Sequence, residues 1–259
     1  MSGGAGLAGE GATGDATGLP GTVTVHDDPA QVAAAAADWV LGIAAATIAA
    51  GGRFRIVLAG GNTPRGLYRL LAAAPRRDAT DWSGWEVFFG DERACPADDP
   101  SSNYRMASEA LLDLVPIARA RIHRMEGERA DLDAAASQYE TILSSTSPAG
   151  SHGSPPRLDC ILLGLGENGH TASLFPGDPS LEVRDRWAVR SRADYAPYDR
   201  ITVTFPVLNA AAHVGFLVAG AAKRDALRAV VQGTVPAARV RPAGGELRWF
   251  LDAAAAEGV

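Results

Sequence analysis

The residues best suited to chemistry in this sequence lie in short glycine-containing turns placed directly after apolar runs. The most informative turn is residues 159–170, Asp-Cys-Ile-Leu-Leu-Gly-Leu-Gly-Glu-Asn-Gly-His, in which His170 follows three glycines. The spacing predicts a short helix after Gly169 with His170 at its head. The positive end of a helix dipole disfavours the imidazolium, and a neutral ring is what a general base requires. A hydrogen-bonded structural histidine is the alternative. The same residues satisfy GxGxxG after a strand, the pattern of dinucleotide sites, but that site needs a full helix after the glycines. Pro176 and Pro179 interrupt any such helix within two turns. The glycines are therefore read as cradling a smaller ligand.

Two further turns carry polar residues of the right kind. Residues 58–64, Leu-Ala-Gly-Gly-Asn-Thr-Pro, leave one predicted strand and enter a predicted helix. Gly60 and Gly61 let the backbone approach a ligand, Thr63 is the expected N-cap, and the free amides around Asn62 and Thr63 could hold a phosphate. An ordinary capped turn is the alternative. Residues 88–93, Phe-Phe-Gly-Asp-Glu-Arg, place charges at the end of another strand. There Arg93 offers a planar fork to phosphate or carboxylate, and Asn103 can donate to sugar hydroxyls. Asp91 or Glu92 is expected to orient Arg93, with a purely structural ion pair as the competing reading.

Composition singles out one more position. Among the 24 Lys+Arg residues, Lys223 is the one lysine, in Val218-Ala-Gly-Ala-Ala-Lys223 after a predicted strand. Keeping an ammonium against that bias suggests a site that wants a compact, flexible cation. Chance survival of a surface lysine is the plain alternative. Arg200, at the head of a β-branched run, could complete an anion-binding cluster with Arg93 and Lys223. Such a cluster would have to be local, because the net charge is -6 and the pI about 5.4. That balance argues against a nucleic-acid partner.

These turns need a scaffold. Apolar runs at residues 22–26, 54–59, 85–89, 121–123, 158–163, 187–190, 201–204, 213–218 and 247–251 read as strands. Helices are expected at 29–50, 64–73, 103–112, 132–144 and 221–231. The alternation predicts an α/β fold with a mostly parallel, twisted, Rossmann-like sheet flanked by helices, and ligands at the carboxyl ends of its strands. Residues 1–21, rich in Gly, Ala and Thr, read as a disordered tail, and 22–259 as one domain. The polar Gly/Pro-rich stretch 144–156 reads as a surface connection. The weakly charged stretch 31–50 is long enough to cross a bilayer, but it is mostly alanine and contains Asp38, so a helix on a sheet is preferred. Cys95 and Cys160 are too few for a disulfide framework and read as buried thiols of a cytoplasmic protein. No nucleophile elbow, P-loop or paired-histidine metal spacing is found, and His26, His123, His152 and His213 are scattered singly, so neither metal nor cofactor is expected.

Taken in order, these segments resemble the 6-phosphogluconolactonase family. The resemblance rests on Gly60-Gly-Asn-Thr-Pro64, Gly90-Asp-Glu-Arg93, Gly164-Leu-Gly-Glu-Asn-Gly-His-Thr-Ala-Ser-Leu-Phe-Pro176, Arg200-Ile-Thr-Val-Thr204 and the segment ending at Lys223. It implies the fold shared with glucosamine-6-phosphate deaminases and ribose-5-phosphate isomerase, and metal-free hydrolysis of 6-phospho-D-glucono-1,5-lactone with His170 as base. It also implies a small phosphorylated lactone as partner and a monomer or weak homo-oligomer. The related deaminases are the rival. Their pattern resembles Asp-Glu-Tyr where this chain has Arg93, and carries a catalytic glutamate where it has Phe175. The family commonly has Asp-Gly-His where this chain has Asn168-Gly-His170. Asn168 keeps the shape and one acceptor but not the charge, which keeps a non-catalytic sugar-phosphate binder among the readings.

Overall fold

The computed structural model describes residues 17–146 and 153–259. Six parallel strands form its main sheet: β1 (Thr22–His26), β2 (Phe54–Leu58), β3 (Trp85–Phe89), β5 (Cys160–Leu163), β8 (His213–Val218) and β9 (Glu246–Asp252), in the order β1-β9-β8-β5-β2-β3. A sheet whose strands are all parallel must be covered on both faces, and its side chains alternate between two cores. Phe54, Ile56, Leu58, Cys160, Leu162, Leu217 and Phe250 point into one core. Val57, Ile161, Leu163, Phe216, Val218, Trp249 and Leu251 point into the other. Both cysteines are buried free thiols.

The first core is closed by α1 (Pro29–Ala49), α2 (Asn62–Leu71) and a helix that runs as α4 (Asn103–Ala107) and then a π turn (Ser108–Leu112). In α1 the Asp28 carboxylate accepts from the amides of Ala30 and Gln31, both at 2.8 Å, which caps the helix as Pro29 opens it. Its buried stripe is mostly alanine, so the helix lies close to the sheet. This is the one described helix long and apolar enough to cross a membrane. Here it packs on β8, β9 and α2, and Asp38 on its outer side pairs with Arg76 at 2.8 Å. The second core is closed by α5 (Leu132–Ser144), α6 (Phe205–Ala210), α7 (Arg224–Val231) and α8 (Ala253–Ala256). One further short helix, α3 (Arg76–Ala79), lies outside these layers.

A second, antiparallel sheet of β4 (Asp91–Arg93), β7 (Asp199–Val203) and β6 (Ala188–Arg192) rests on the second core. The expected strands at 187–190 and 201–204 form β6 and β7, but β4 is not foretold, because Asp-Glu-Arg lacks any apolar alternation. Gly90 passes the chain from one sheet to the other: its N–H donates to Leu58 O at 3.0 Å and its carbonyl accepts from Val203 N at 2.9 Å.

Three expectations are corrected. Residues 121–123 are not a strand; a 3-10 turn at Arg119–Arg121 leaves a single parallel bridge between Val87 and Ile122. No helix follows Gly169: residues 164–178 run as successive turns up to a 3-10 turn at Pro179–Glu182. The expected tail is shorter at its end, for Leu19 is buried in the second core and the Trp249 indole donates to Pro20 O at 2.8 Å. Residues 1–16 lie outside the described residues, as do 147–152 of the polar connection, His152 included.

Candidate active site

The chain leaving β2 continues to β3 on one side, whereas the chain leaving β5 continues to β8 on the other. Because β2 and β5 are neighbours, their exit loops diverge and open a crevice at the carboxyl edge of the sheet. A cleft of about 220 Å³ occupies this crevice. It brings together Gly60, Gly61, Asp91, Arg93, Asn103, His170, Arg200 and Lys223. Asn62 and Thr63 do not line it. Helix α2 starts at Asn62 with Gly61 before it and no side-chain cap, so Thr63 lies inside the helix and is not the N-cap.

Two buried tyrosines fix the strand ends that carry these loops. Tyr68, from α2, accepts from Ala59 N at 2.9 Å and donates to Ala59 O at 2.8 Å. Tyr139, from α5, does the same for Phe89 at 2.8 and 2.9 Å from the opposite face. Each satisfies the backbone pair that the ladder leaves open.

His170 sits in a tight turn in which Gly166 N donates to His170 O at 2.8 Å. The imidazole lies directly against Gly166, where a Cβ would be 2.0 Å from Nδ1. The Asn168 Oδ1 is 2.5 Å from Nδ1 and also accepts the His170 amide at 3.2 Å. An amide oxygen is an acceptor, so Nδ1 carries the proton and the lone pair is on Nε2. Phe175, itself buried, packs 4.5 Å from the imidazole centroid. Burial pushes the ring's pKa down to about 4; Asp91 and Asp194 oppose this, while Lys223 and Arg200 add to it. The ring is neutral at neutral pH, as expected, but for a different reason: with no helix behind it, desolvation does the work.

The opposite wall is cationic. Arg93 and Arg200 are direct cross-strand partners in the β4–β7 pair. Like charges placed so repel each other, and among the described residues neither forms an ion pair. Arg200 is only 2% exposed, and burial, then the Arg93 charge, lower its pKa. Lys223 stands beside them just before α7.

Asp91 and Glu92 do not orient the Arg93 guanidinium, which donates to Ser101 O instead. The Glu92 carboxylate is buried and accepts from the amides of Arg93, Asn103 and Tyr104, each at 2.8 Å, and from Ser102 Oγ at 3.0 Å. It knots β4 to the start of α4; burial nevertheless raises its pKa. Asp91 accepts from Ser173 Oγ at 2.6 Å and from Asn103 Nδ2 at 3.1 Å. Asn103 Nδ2 also donates to Asp91 O at 2.9 Å, so both its hydrogens are spent within the protein. The expected donor to sugar hydroxyls is thus a wall residue whose Oδ1 faces Gly60.

Sequence reasoning missed Ser173, Ala172 and Tyr195, all of which line the cleft. Ser173 could have been found from its place three residues after His170. Ala172 takes φ +47, a left-handed conformation unusual for alanine, in the turn closed by Leu174 N on Thr171 O at 2.9 Å. Tyr195 carried no signal. Val235 was also unmarked: after α7 the chain returns to the His170 loop, where Ala237 N donates to Gly169 O at 3.0 Å. Gly169 has φ +78, and a Cβ there would be 2.4 Å from Val235 Cβ.

The sequence profile of the family described as glucosamine-6-phosphate isomerases/6-phosphogluconolactonase matches residues 27–249. A 6-phosphogluconolactonase of Synechocystis sp. is 45% identical over 81% of this chain and 86% of its own length. One from Streptomyces coelicolor is 37% identical over 90% and 93%. Among solved structures, the 6-phosphogluconolactonase of Trypanosoma brucei superposes with a TM-score of 0.82 at 28% identity, covering 93% of this chain and 99% of that one. A monomeric glucosamine-6-phosphate deaminase shares the fold, with a TM-score of 0.73 at 22% identity over 90% and 98% of the two chains.

Proposed function

The chain belongs to the glucosamine-6-phosphate isomerase/6-phosphogluconolactonase family, and on that premise we propose that it hydrolyses 6-phospho-D-glucono-1,5-lactone to 6-phospho-D-gluconate, a step of the oxidative pentose phosphate pathway. Arg93, Arg200 and Lys223 hold the phosphate, with amides of the 60–63 turn beside them. His170 Nε2 takes a proton from water as the water oxygen attacks the lactone carbonyl carbon. When the tetrahedral intermediate collapses, the bond from that carbon to the ring oxygen breaks, and the imidazolium returns the proton to the ring oxygen. The products are a carboxylic acid, which ionises to the carboxylate by releasing its proton to solvent, and a free hydroxyl, and no covalent enzyme intermediate, metal or cofactor takes part.

One observation carries this reading. A neutral imidazole with its Nδ1 side tied to Asn168 faces a cleft whose other wall holds cations without carboxylate partners. Phe175, packed on that imidazole, favours the lactonase over the deaminase, since a phenyl ring cannot relay the protons that ring opening and isomerisation need. We read residues 19–259 as one domain of a cytoplasmic enzyme, monomeric or weakly self-associating, that acts on a small molecule and on neither nucleic acid nor membrane.

The test is lactone hydrolysis measured above the spontaneous rate. His170→Ala should lower kcat by about 10²–10⁴, the usual share of general-base assistance. A wild-type protein that adds nothing to the background yet binds 6-phosphogluconate would establish a binding protein instead. Ammonia release from glucosamine 6-phosphate would establish the deaminase.

A further inference from the structure

Residues 193–198 join β6 to β7 in a short loop closed by Ala193 N on Tyr198 O at 2.7 Å. The loop carries two tyrosines of nearly equal exposure, Tyr195 at 47% and Tyr198 at 49%. Each has an arginine Cζ 5.4 Å from its ring centroid. The resemblance ends there. Tyr198 stacks on Arg192, which already reaches the Asp199 carboxylate at 3.4 Å, and Tyr198 does not line the cleft. Tyr195 stacks on Arg200, which is buried without a carboxylate, and it lines the cleft.

Tyr195 also meets the other end of the site. Its ring lies edge-on to Phe175, 6.0 Å away at 85°, and Phe175 in turn covers the His170 imidazole. We propose that Tyr195 is a positioning residue of this site, a side wall that holds the Arg200 guanidinium forward for the phosphate and keeps water off the Phe175–His170 pair. The proposal rests on the lactonase reading above. A cation against a π face is held more strongly where water is excluded, and the ring supplies both the face and the exclusion.

Removing the ring would hydrate Arg200 and open a path to Phe175. The charged groups that act on the imidazole are Asp91 from β4, Arg200 from β7, Lys223 ahead of α7 and Asp194 from the same loop. All of them survive the change Tyr195→Ala, and the direct neighbour Asn168 is neutral. What changes is burial, so the imidazole should titrate higher, back towards its ordinary value.

The test compares Tyr195→Ala, Tyr195→Phe and Tyr198→Ala with the wild type. Three quantities are read: KM and kcat for the lactone, calorimetric Kd for 6-phosphogluconate, and the His170 titration followed by NMR of the imidazole. Tyr195→Ala should raise KM and Kd roughly tenfold and shift the titration upward. Tyr195→Phe, which keeps the ring, should stay within about twofold of the wild type. Tyr198→Ala should change none of the three. Wild-type binding and titration in Tyr195→Ala would overturn the proposal, and so would equal losses in Tyr198→Ala, which would show a loosened loop. If the wild type fails to hydrolyse the lactone, the functional reading falls, while Kd and the titration still decide the role of Tyr195.

Discussion

The two faces of the small antiparallel sheet treat the same residue type in opposite ways. On the face whose Ala188, Ile201 and Val203 enter the second core, the exposed outer end carries Arg190 and Arg192, which share the Asp199 carboxylate at 2.8 and 3.4 Å. On the opposite face, which lines the cleft as its inner wall, one residue further along β7, Arg200 is buried beside Arg93 with no carboxylate between them. Exposed pairs of the first kind contribute little to stability, whereas burying two like charges together is costly. A fold tolerates that cost where a ligand of opposite charge completes the arrangement. The pairing of charges, more than their number, separates a solubilising surface from an anion seat, and on the proposed reading it lets a chain of net charge -6 receive a phosphate.

The comparison can be broken by removing one member of each set. Arg200→Ala should lower kcat/KM by roughly 10²-fold, the value of losing a buried charge-assisted contact, while Arg192→Ala should leave it within about twofold. Equal effects in steady-state kinetics would mean that the inner pair is not the phosphate seat.

Asn168→Asp probes the inner field from its other side, because it puts a carboxylate against the Nδ1 of a ring that burial, and then Lys223 and Arg200, hold down. A base must be deprotonated, so the wild-type kcat/KM should be flat near neutrality and fall only as pH drops through about 4. The added negative charge favours the imidazolium, so the acid limb of the variant should lie at higher pH. A pH–rate profile with an unmoved limb would show that the charge at this position is dispensable. Asp199→Asn is the mildest change. It removes both outer pairs, should cost no more than about 1 kcal/mol in denaturant unfolding, and should leave kcat/KM unaltered.

The legible part of the molecule was the part written in period and punctuation. Continuous apolar runs gave the six parallel strands, because a sheet buried on both faces needs them, and glycine turns after those runs marked the cleft. What stayed hidden depends on partners distant in sequence. Asp91–Arg93 becomes a strand only because Gly90 hands it to β7 (Asp199–Val203), where Asp91 pairs with Thr202, far along the chain. The neutral state of His170 was anticipated, yet its cause, burial of the ring against Gly166 and Phe175, could not be read from a motif whose predicted helix does not form. Thr63 looked like a cap by residue type, but Gly61 already turns the chain, so the helix starts early and takes Asn62 and Thr63 out of the cleft.

The return of the chain from α7 to Gly169 gives the site a built-in gauge. Lys223 stands immediately before this helix, and Val235 and Ala237, a few residues beyond it, grip the loop that bears His170. Eight helical residues span about 12 Å. The spacing between Lys223 and the loop that bears His170 is therefore tied to a helix outside the cleft, and on the proposed reading a longer or shorter α7 would shift one cation of the phosphate seat relative to the base while every cleft side chain keeps its identity.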